Sequence, residues 1–225
     1  MDIKEAIRNR HSVRQYKETP IDEETGARLR LLIESVNDES SQHFQLICDD
    51  SECFNSFMAH YGKFKNVRNY VAIVANTMTS DYEERCGYYG QKIVLEAQML
   101  GLNTCWVGGT FSKGKCKAAV RQGEKLIGVI AIGYGETAGV DHKSKPMEKL
   151  CTVADKDMPD WFREGMEAAM MAPTAINQQK FVIELKDDTA TIMAKKGPFS
   201  RVDLGIVVFN FEAASGHKCA RQENE

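Results

Sequence analysis

Long apolar runs are missing from this 225-residue sequence. Its longest, residues 71–75 and 127–132, fall far short of the ~20 residues needed to cross a bilayer. The opening stretch MDIKEAIRNRHSVRQY has no apolar core of the signal-peptide kind. An excess of one charge is also missing, since 29 Lys plus Arg stand against 32 Asp plus Glu, a net −3. Such a chain has no global field to draw in nucleic acid, so any anion it binds must be held by a local cluster of cations. Seven Cys, at 48, 53, 86, 105, 116, 151 and 219, are odd in number and form no C-x-x-C pair. That usage predicts reduced thiols in a cytoplasmic protein rather than a disulfide framework. The five His, at 11, 43, 60, 142 and 217, show neither H-x-x-x-H nor H-E-x-x-H spacing, which leaves a zinc hydrolase without support. There is no G-x-x-x-x-G-K-[ST] loop and no G-x-S-x-G elbow. Gly133-x-Gly135 lacks the third glycine and following helix of a dinucleotide fingerprint.

What is present is a globular composition, 43% hydrophobic and 27% charged, long enough for one large domain or two small ones. Ile3, Ala6 and Ile7 predict a short helix stopping near residues 9–11. Asp22 reads as the N-cap of a second helix that buries Leu29, Leu32, Ile33 and Val36. Strands are expected at 44–48, 70–75 and 126–134. Ser80-x-x-Glu83 has the capping-box pattern, followed by a long helix that ends at Gly101. Residues 135–149 read as a linker. Pro159 opens a further helix, stopped by Ala172-Pro173. Residues 181–185 and 189–193 read as a hairpin around Asp187-Asp188, and a last helix as 203–215. The mixture predicts an α+β fold.

The chain also carries signs of an internal repeat. Residues 32–47 align with 169–184, setting Gln42, His43 and Phe44 on Gln179, Lys180 and Phe181 at a helix-to-strand junction. Gly90 and Gly101 are spaced like Gly205 and Gly216, each pair spanning an apolar helix.

Four clusters could carry chemistry, and each has a bland alternative. Arg10-His11-Ser12-Val13-Arg14 is a compact set of donors for a phosphate, since guanidinium groups bind such anions bidentately; a solvated basic turn is the other reading. Residues 172–179 (APTAINQQ) join small residues, which admit a planar ligand, to three amides that donate and accept; the alternative is a polar loop. Residues 101–109 (GLNTCWVGG) offer bare backbone N–H groups at Gly108 and Gly109 and an aromatic wall at Trp106, or merely a core Trp beside a turn. Lys143-Ser144-Lys145 is a small cationic cluster, or ordinary linker charge.

Together these clusters resemble the nitroreductase-like flavoproteins, a family that binds FMN and takes reducing equivalents from NAD(P)H. Arg10–Arg14 resembles that family's amino-terminal phosphate motif. The 172–179 segment is similar to its A-P-S-x-x-N-x-Q loop, with Thr174 replacing the usual Ser. Residues 101–109 resemble its G-L-x-T-x-W-I-G segment, Ile132-Gly133-Tyr134 its I-G-Y, and Lys143-Ser144-Lys145 its late cationic contact. The resemblance runs from Met1 to about Gly216. It implies a mostly antiparallel sheet flanked by helices, FMN as cofactor, NAD(P)H as co-substrate and a small-molecule acceptor such as a nitro compound or quinone. It also implies roles: Arg10, His11, Ser12 and Arg14, with Lys143 or Lys145, at the phosphate; Pro173, Thr174, Asn177 and Gln179 along ring and ribityl chain; Trp106, Gly108 and Gly109 by the isoalloxazine. Since the flavin carries the chemistry, no catalytic side chain is expected. A flavin-binding protein without nitroreductase turnover, or a non-enzymatic interaction domain, are the rival readings.

One departure is large. Ordinary members place the A-P-S-x-x-N loop some 25 residues after the phosphate motif and pair as homodimers that share each flavin. Here that place holds residues 36–42 (VNDESSQ), and the good copy stands near the carboxyl end. The second-copy position of the phosphate motif, residues 151–159 (CTVADKDMP), has no arginine. The chain therefore resembles a single-chain pseudo-dimer of two unequal halves, 1–150 and 151–225, able to act as a monomer with one flavin site.

Overall fold

The computed structural model describes residues 1–154 and 157–223, so part of the 151–159 segment, at residues 155 and 156, lies outside the described residues. By packing, the chain divides into two compact units that are discontinuous in sequence. One comprises Met1–Asn9, Glu83–Lys92 and His142 onward; the other comprises Arg10–Tyr82 and Ile93–Asp141. One of the four junctions between them, at residues 141 and 142, falls inside the expected linker. Among the described residues no helix is long and apolar enough to cross a membrane.

The second of these units is built on a four-stranded antiparallel sheet. Its strands are β1 (His43–Ile47), β2 (Asn69–Asn76), β3 (Asn103–Val107) and β4 (Glu124–Gly133), in the order β1-β2-β4-β3. Strand β2 is buried along nearly its whole length, as its unbroken apolar run requires. On one face Tyr70, Ala72 and Val74 of β2 and Val129 and Ala131 of β4 pack with Phe54, Phe64 and Phe111. On the other, Ile132 meets Leu29, Ala97 and Leu102. Leu29 belongs to α2 (Glu23–Ser40), whose N-cap is Asp22 with its side chain accepting from Thr25 N–H. A short α3 spans Phe57–Tyr61.

In the other unit, α1 (Ile3–Asn9), α5 (Asp160–Met170) and α6 (Ser200–Ser215) accompany a three-stranded sheet of β5 (Phe181–Lys186), β6 (Thr189–Ala194) and β7 (Ala220–Glu223). Asp187 and Asp188, at φ 47° and 59°, make the two-residue turn that matches the twist of a β5–β6 hairpin. The long α4 (Tyr82–Met99) gives its first half to this unit and its second half to the other. Gly101, at φ 81°, ends it as expected. The helix begins one residue later than the Ser80-x-x-Glu83 pattern places it, with Asp81 as its N-cap, and the Asp81 side chain makes no cap hydrogen bond. Where α4 crosses α6 the backbones touch. A methyl on Gly205 would stand 2.6 Å from Tyr88 N and collide with the Glu84 carbonyl oxygen, and one on Gly87 would collide with the Val202 carbonyl.

Candidate functional site

The residues singled out in the sequence fall into two groups, one in each unit. Arg10, His11, Ser12 and Arg14 follow α1 as an extended segment laid along β3, an edge strand. Ser12 bridges Thr104, and Val13 N–H donates to the Thr104 carbonyl at 3.0 Å. Val13 faces the core while its neighbours face away, the alternation of an extended chain. Tyr16 locks the segment by donating its hydroxyl to the Val13 carbonyl at 2.7 Å.

Arg10 is the unexpected member. It is only 4% exposed, burial pulls its pKa down to about 10, and its Nε has no hydrogen-bond partner among the described residues. A buried guanidinium with an unmet donor is a costly arrangement, and a phosphate oxygen is the kind of acceptor that satisfies it. Arg14 is exposed. Both arginines act on Cys105 of β3, buried, whose thiol is pushed up by burial and pulled the other way by Arg14, Arg10 and a hydrogen bond to Ser12. His11 is otherwise engaged: Nδ1 lies 3.1 Å from the Ala138 carbonyl, and Nε2 lies 3.8 Å from Asp141. Trp106 is half-buried on β3. Gly109 beyond it is exposed, with open space where a side chain would stand.

The second group is a single interlocked piece. Helix α5 stops, Pro173 follows, and residues 174–179 turn back toward β5. Ile176, Asn177 and Gln179 adopt left-handed conformations at φ 48°, 54° and 44°. For a β-branched Ile, 91% exposed, that is a strained choice that only its surroundings can impose. Thr174 Oγ1 accepts from Gln179 N–H at 3.0 Å. Gln179, buried, donates to the Lys143 carbonyl and to Asn177 Oδ1, at 2.9 and 2.8 Å. Asn177 Nδ2 also donates to the Lys143 carbonyl at 2.9 Å. The Lys145 ammonium donates to the carbonyls of Gln178 and Gln179 at 2.5 and 3.2 Å. Lys145 therefore serves the loop itself, whereas the Lys143 side chain is exposed.

Sequence reasoning passed over Asp203, in the first turn of α6. Its carboxylate accepts from Ala175 N–H at 2.9 and 3.1 Å and from Gln178 Nε2 at 2.7 Å. Burial raises its pKa to about 6 against those two hydrogen bonds. Its only signal in the sequence was an acidic residue at a helix start, which reads as dipole compensation. No group of three or more His, Cys, Asp or Glu among the described residues is placed to hold a metal ion.

The family model described as "Putative TM nitroreductase" matches residues 2–215. Among solved structures, a "putative nitroreductase" of Thermotoga maritima shares 22% identity over 95% of this chain and 83% of its own, with a TM-score of 0.66. A Desulfovibrio desulfuricans "putative nitroreductase in complex with FMN" is 18% identical over 70% of this chain and 98% of its own, at TM-score 0.53. A Bacteroides thetaiotaomicron protein named "Putative NADH dehydrogenase/NAD(P)H nitroreductase" is 16% identical over 66% of this chain and 95% of its own, at TM-score 0.52. These likenesses show a shared fold. No curated protein matches the chain.

Proposed function

The chain belongs to this nitroreductase family, and on that premise we propose that it is an oxidoreductase that binds one FMN and passes reducing equivalents from NAD(P)H to a nitro compound, quinone or similar acceptor. The carrying observation is Arg10, a buried guanidinium whose Nε has no hydrogen-bond partner among the described residues, standing in an R-H-S-x-R motif beside Ser12 and Arg14. Arg10, Ser12 and Arg14 would take the flavin phosphate, with Lys143 as the added cation. Pro173, Thr174 and Asn177 would line the ring and ribityl chain. Trp106 and the backbone N–H groups of Gly108 and Gly109 would stand by the isoalloxazine. His11 and Gln179 hold these segments in shape through Ala138 and Lys143. When bound, FMN supplies hydride transfer, and the chain's residues supply binding, orientation and shelter from water.

We further read the chain as a single-chain pseudo-dimer. The aligned glutamines behave alike: Gln42 Oε1 accepts from Asn76 N–H at 2.8 Å, and Gln179 Oε1 accepts from Lys145 N–H at 2.7 Å. The aligned glycines Gly101 and Gly216 both close helices at positive φ. Two neighbours named above fit nearly whole onto about two thirds of this chain, which leaves the remainder for a reduced second copy.

The test is to purify the chain, release any bound flavin by denaturation and identify it by mass, then follow NAD(P)H oxidation with nitroaromatics and quinones. FAD, a pterin or a colourless chain that takes up no FMN sinks the cofactor reading. Bound FMN without NAD(P)H turnover sinks the nitroreductase activity alone.

A further inference from the structure

We propose that Asp203 is a positioning residue for the 174–179 loop, its carboxylate fixing the loop's left-handed backbone and so setting how tightly the chain takes up flavin. This rests on the FMN reading above. Both carboxylate oxygens are committed to the loop, through Ala175 N–H and the Gln178 carboxamide. Gln178 Nε2 also donates to the Pro198 carbonyl at 2.8 Å, just before α6, so one side chain ties the loop to the helix start at two points. Between these anchors lie Ile176 and Asn177, the residues held at positive φ. Released from Asp203, the Ile176 backbone has every reason to relax toward negative φ, which would carry Asn177 with it.

A carboxylate grips better than a neutral group here, because hydrogen bonds to an ionised acceptor are about twice as strong as neutral ones. Burial works against that ionisation, so the grip depends on pH near neutrality. The groups acting on the carboxyl are the Ala175 amide and the Gln178 carboxamide, both neutral. No charged side chain figures among the causes of the Asp203 shift. Glu84 pairs with Arg221, and Tyr88 and Glu212 with Lys218.

The experiment titrates FMN into the flavin-stripped full chain, as wild type, Asp203→Asn and Asp203→Ala, between pH 5 and 7.5. At pH 7.5 Asp203→Asn should bind FMN about tenfold more weakly than wild type, the loss expected for a charge-assisted hydrogen bond. The gap should close as pH falls through about 6, because wild type then becomes neutral at this position too. The phosphate of FMN also titrates near pH 6 in all three proteins, so the reading is the difference between profiles. Asp203→Ala should bind weakly throughout. If Asp203→Ala fails to fold, Asp203→Asn carries the test alone. Parallel profiles, or equal affinities at pH 7.5, overturn the role of Asp203 while leaving the FMN reading intact. Absence of FMN binding by wild type overturns both.

Discussion

Lys145 and Gln179 grip each other twice: Lys145 N–H donates to Gln179 Oε1 at 2.7 Å, and Lys145 Nζ donates to the Gln179 carbonyl at 3.2 Å. Two segments far apart in sequence thus satisfy each other's backbone groups, and the Gln179 side chain is spent on structure. Gln179→Ala removes the acceptor of the Lys145 N–H, while the Lys143 carbonyl keeps its bond from Asn177 Nδ2. A buried group left unsatisfied costs roughly 1–3 kcal/mol, so denaturant unfolding should show about that loss. FMN affinity should fall with it. Unchanged stability would mean that water replaces the side chain without cost.

Arg10 sets stability against binding. Its pKa is lowered, so the folded chain disfavours the charge that the unfolded chain carries freely, and at neutral pH ionised Arg10 works against folding. Arg10→Met keeps an apolar stem in the buried space and deletes the charge. The flavin-free variant should melt at a higher temperature than flavin-free wild type. Its FMN affinity should fall ~10- to 100-fold, the range for losing a charge-assisted contact. Calorimetry with and without FMN reads both, and a lower melting temperature with unchanged affinity contradicts the assignment.

Much of this was legible in the sequence, for physical reasons that differ by element. Asp22 announced α2 because an N-cap acts on its own first turn, and Asp187-Asp188 announced a hairpin because the residues themselves tolerate positive φ. Strand β3 was hidden: Asn103–Val107 lies between glycines and reads as a turn with a Trp, and its partner β4 is what makes it a strand. Strand β7, of sequence ARQE, has no strand-forming residues and exists through its parallel pairing with β6. The first turn of α6 was hidden as well, since Phe199 enters it from a left-handed conformation. At the site, residue types and spacing were readable, but the burial of Arg10 and the left-handed Ile176 arise from packing that no local pattern encodes. Asp203 was missed for the same reason.

The α4–α6 crossing has no room for a side chain. Gly205→Ala puts a methyl against the Glu84 carbonyl and the Tyr88 amide, both backbone atoms that cannot rotate away. Overpacking of this kind costs about 1–3 kcal/mol or more, and the loss should appear in the unfolding midpoint. Gly87→Ala should cost a similar amount. Since both separate the same two helices, the double variant should lose less than the sum of the singles. Strict additivity would indicate that the helices do not move apart as a unit.

Asp203 gives a signed pH dependence of stability. Its folded pKa, about 6, lies above the ordinary 3.8, so between those values the folded chain binds more protons than the unfolded one. Stability from this group is therefore greatest below about pH 4 and declines as pH rises toward 6, by on the order of 3 kcal/mol. Asp203→Asn lacks this slope. The stability of Asp203→Asn relative to wild type should rise from pH 4 to 6 and then level off. A difference that is constant across this range would show that the carboxyl titrates normally.

The last prediction is stoichiometric. The R-H-S-x-R motif occurs once, and the second-copy position at 151–159 has no arginine. The amide loop also occurs once in full, because the 36–42 copy lacks the Ala-Pro start and has Ser40 where Asn177 stands. Ser40 is buried, and Gln42 beside it is occupied with the Asn76 backbone, so that copy is built as structure. We therefore expect one FMN per chain, bound by residues of that same chain whether or not chains associate. Two variants test this when mixed. Arg14→Ala removes an exposed cation without touching the core. Asn177→Gly deletes the amide, and glycine suits the left-handed φ of 54° without strain. Each alone should bind FMN ~10- to 100-fold more weakly, by the loss of a hydrogen bond to flavin. Mixing them, even after unfolding and refolding together, should restore nothing if one chain builds one site. Recovery of tight binding in a fraction of the mixture would mean that the arginine of one chain serves the loop of another, and the single-chain account would fall.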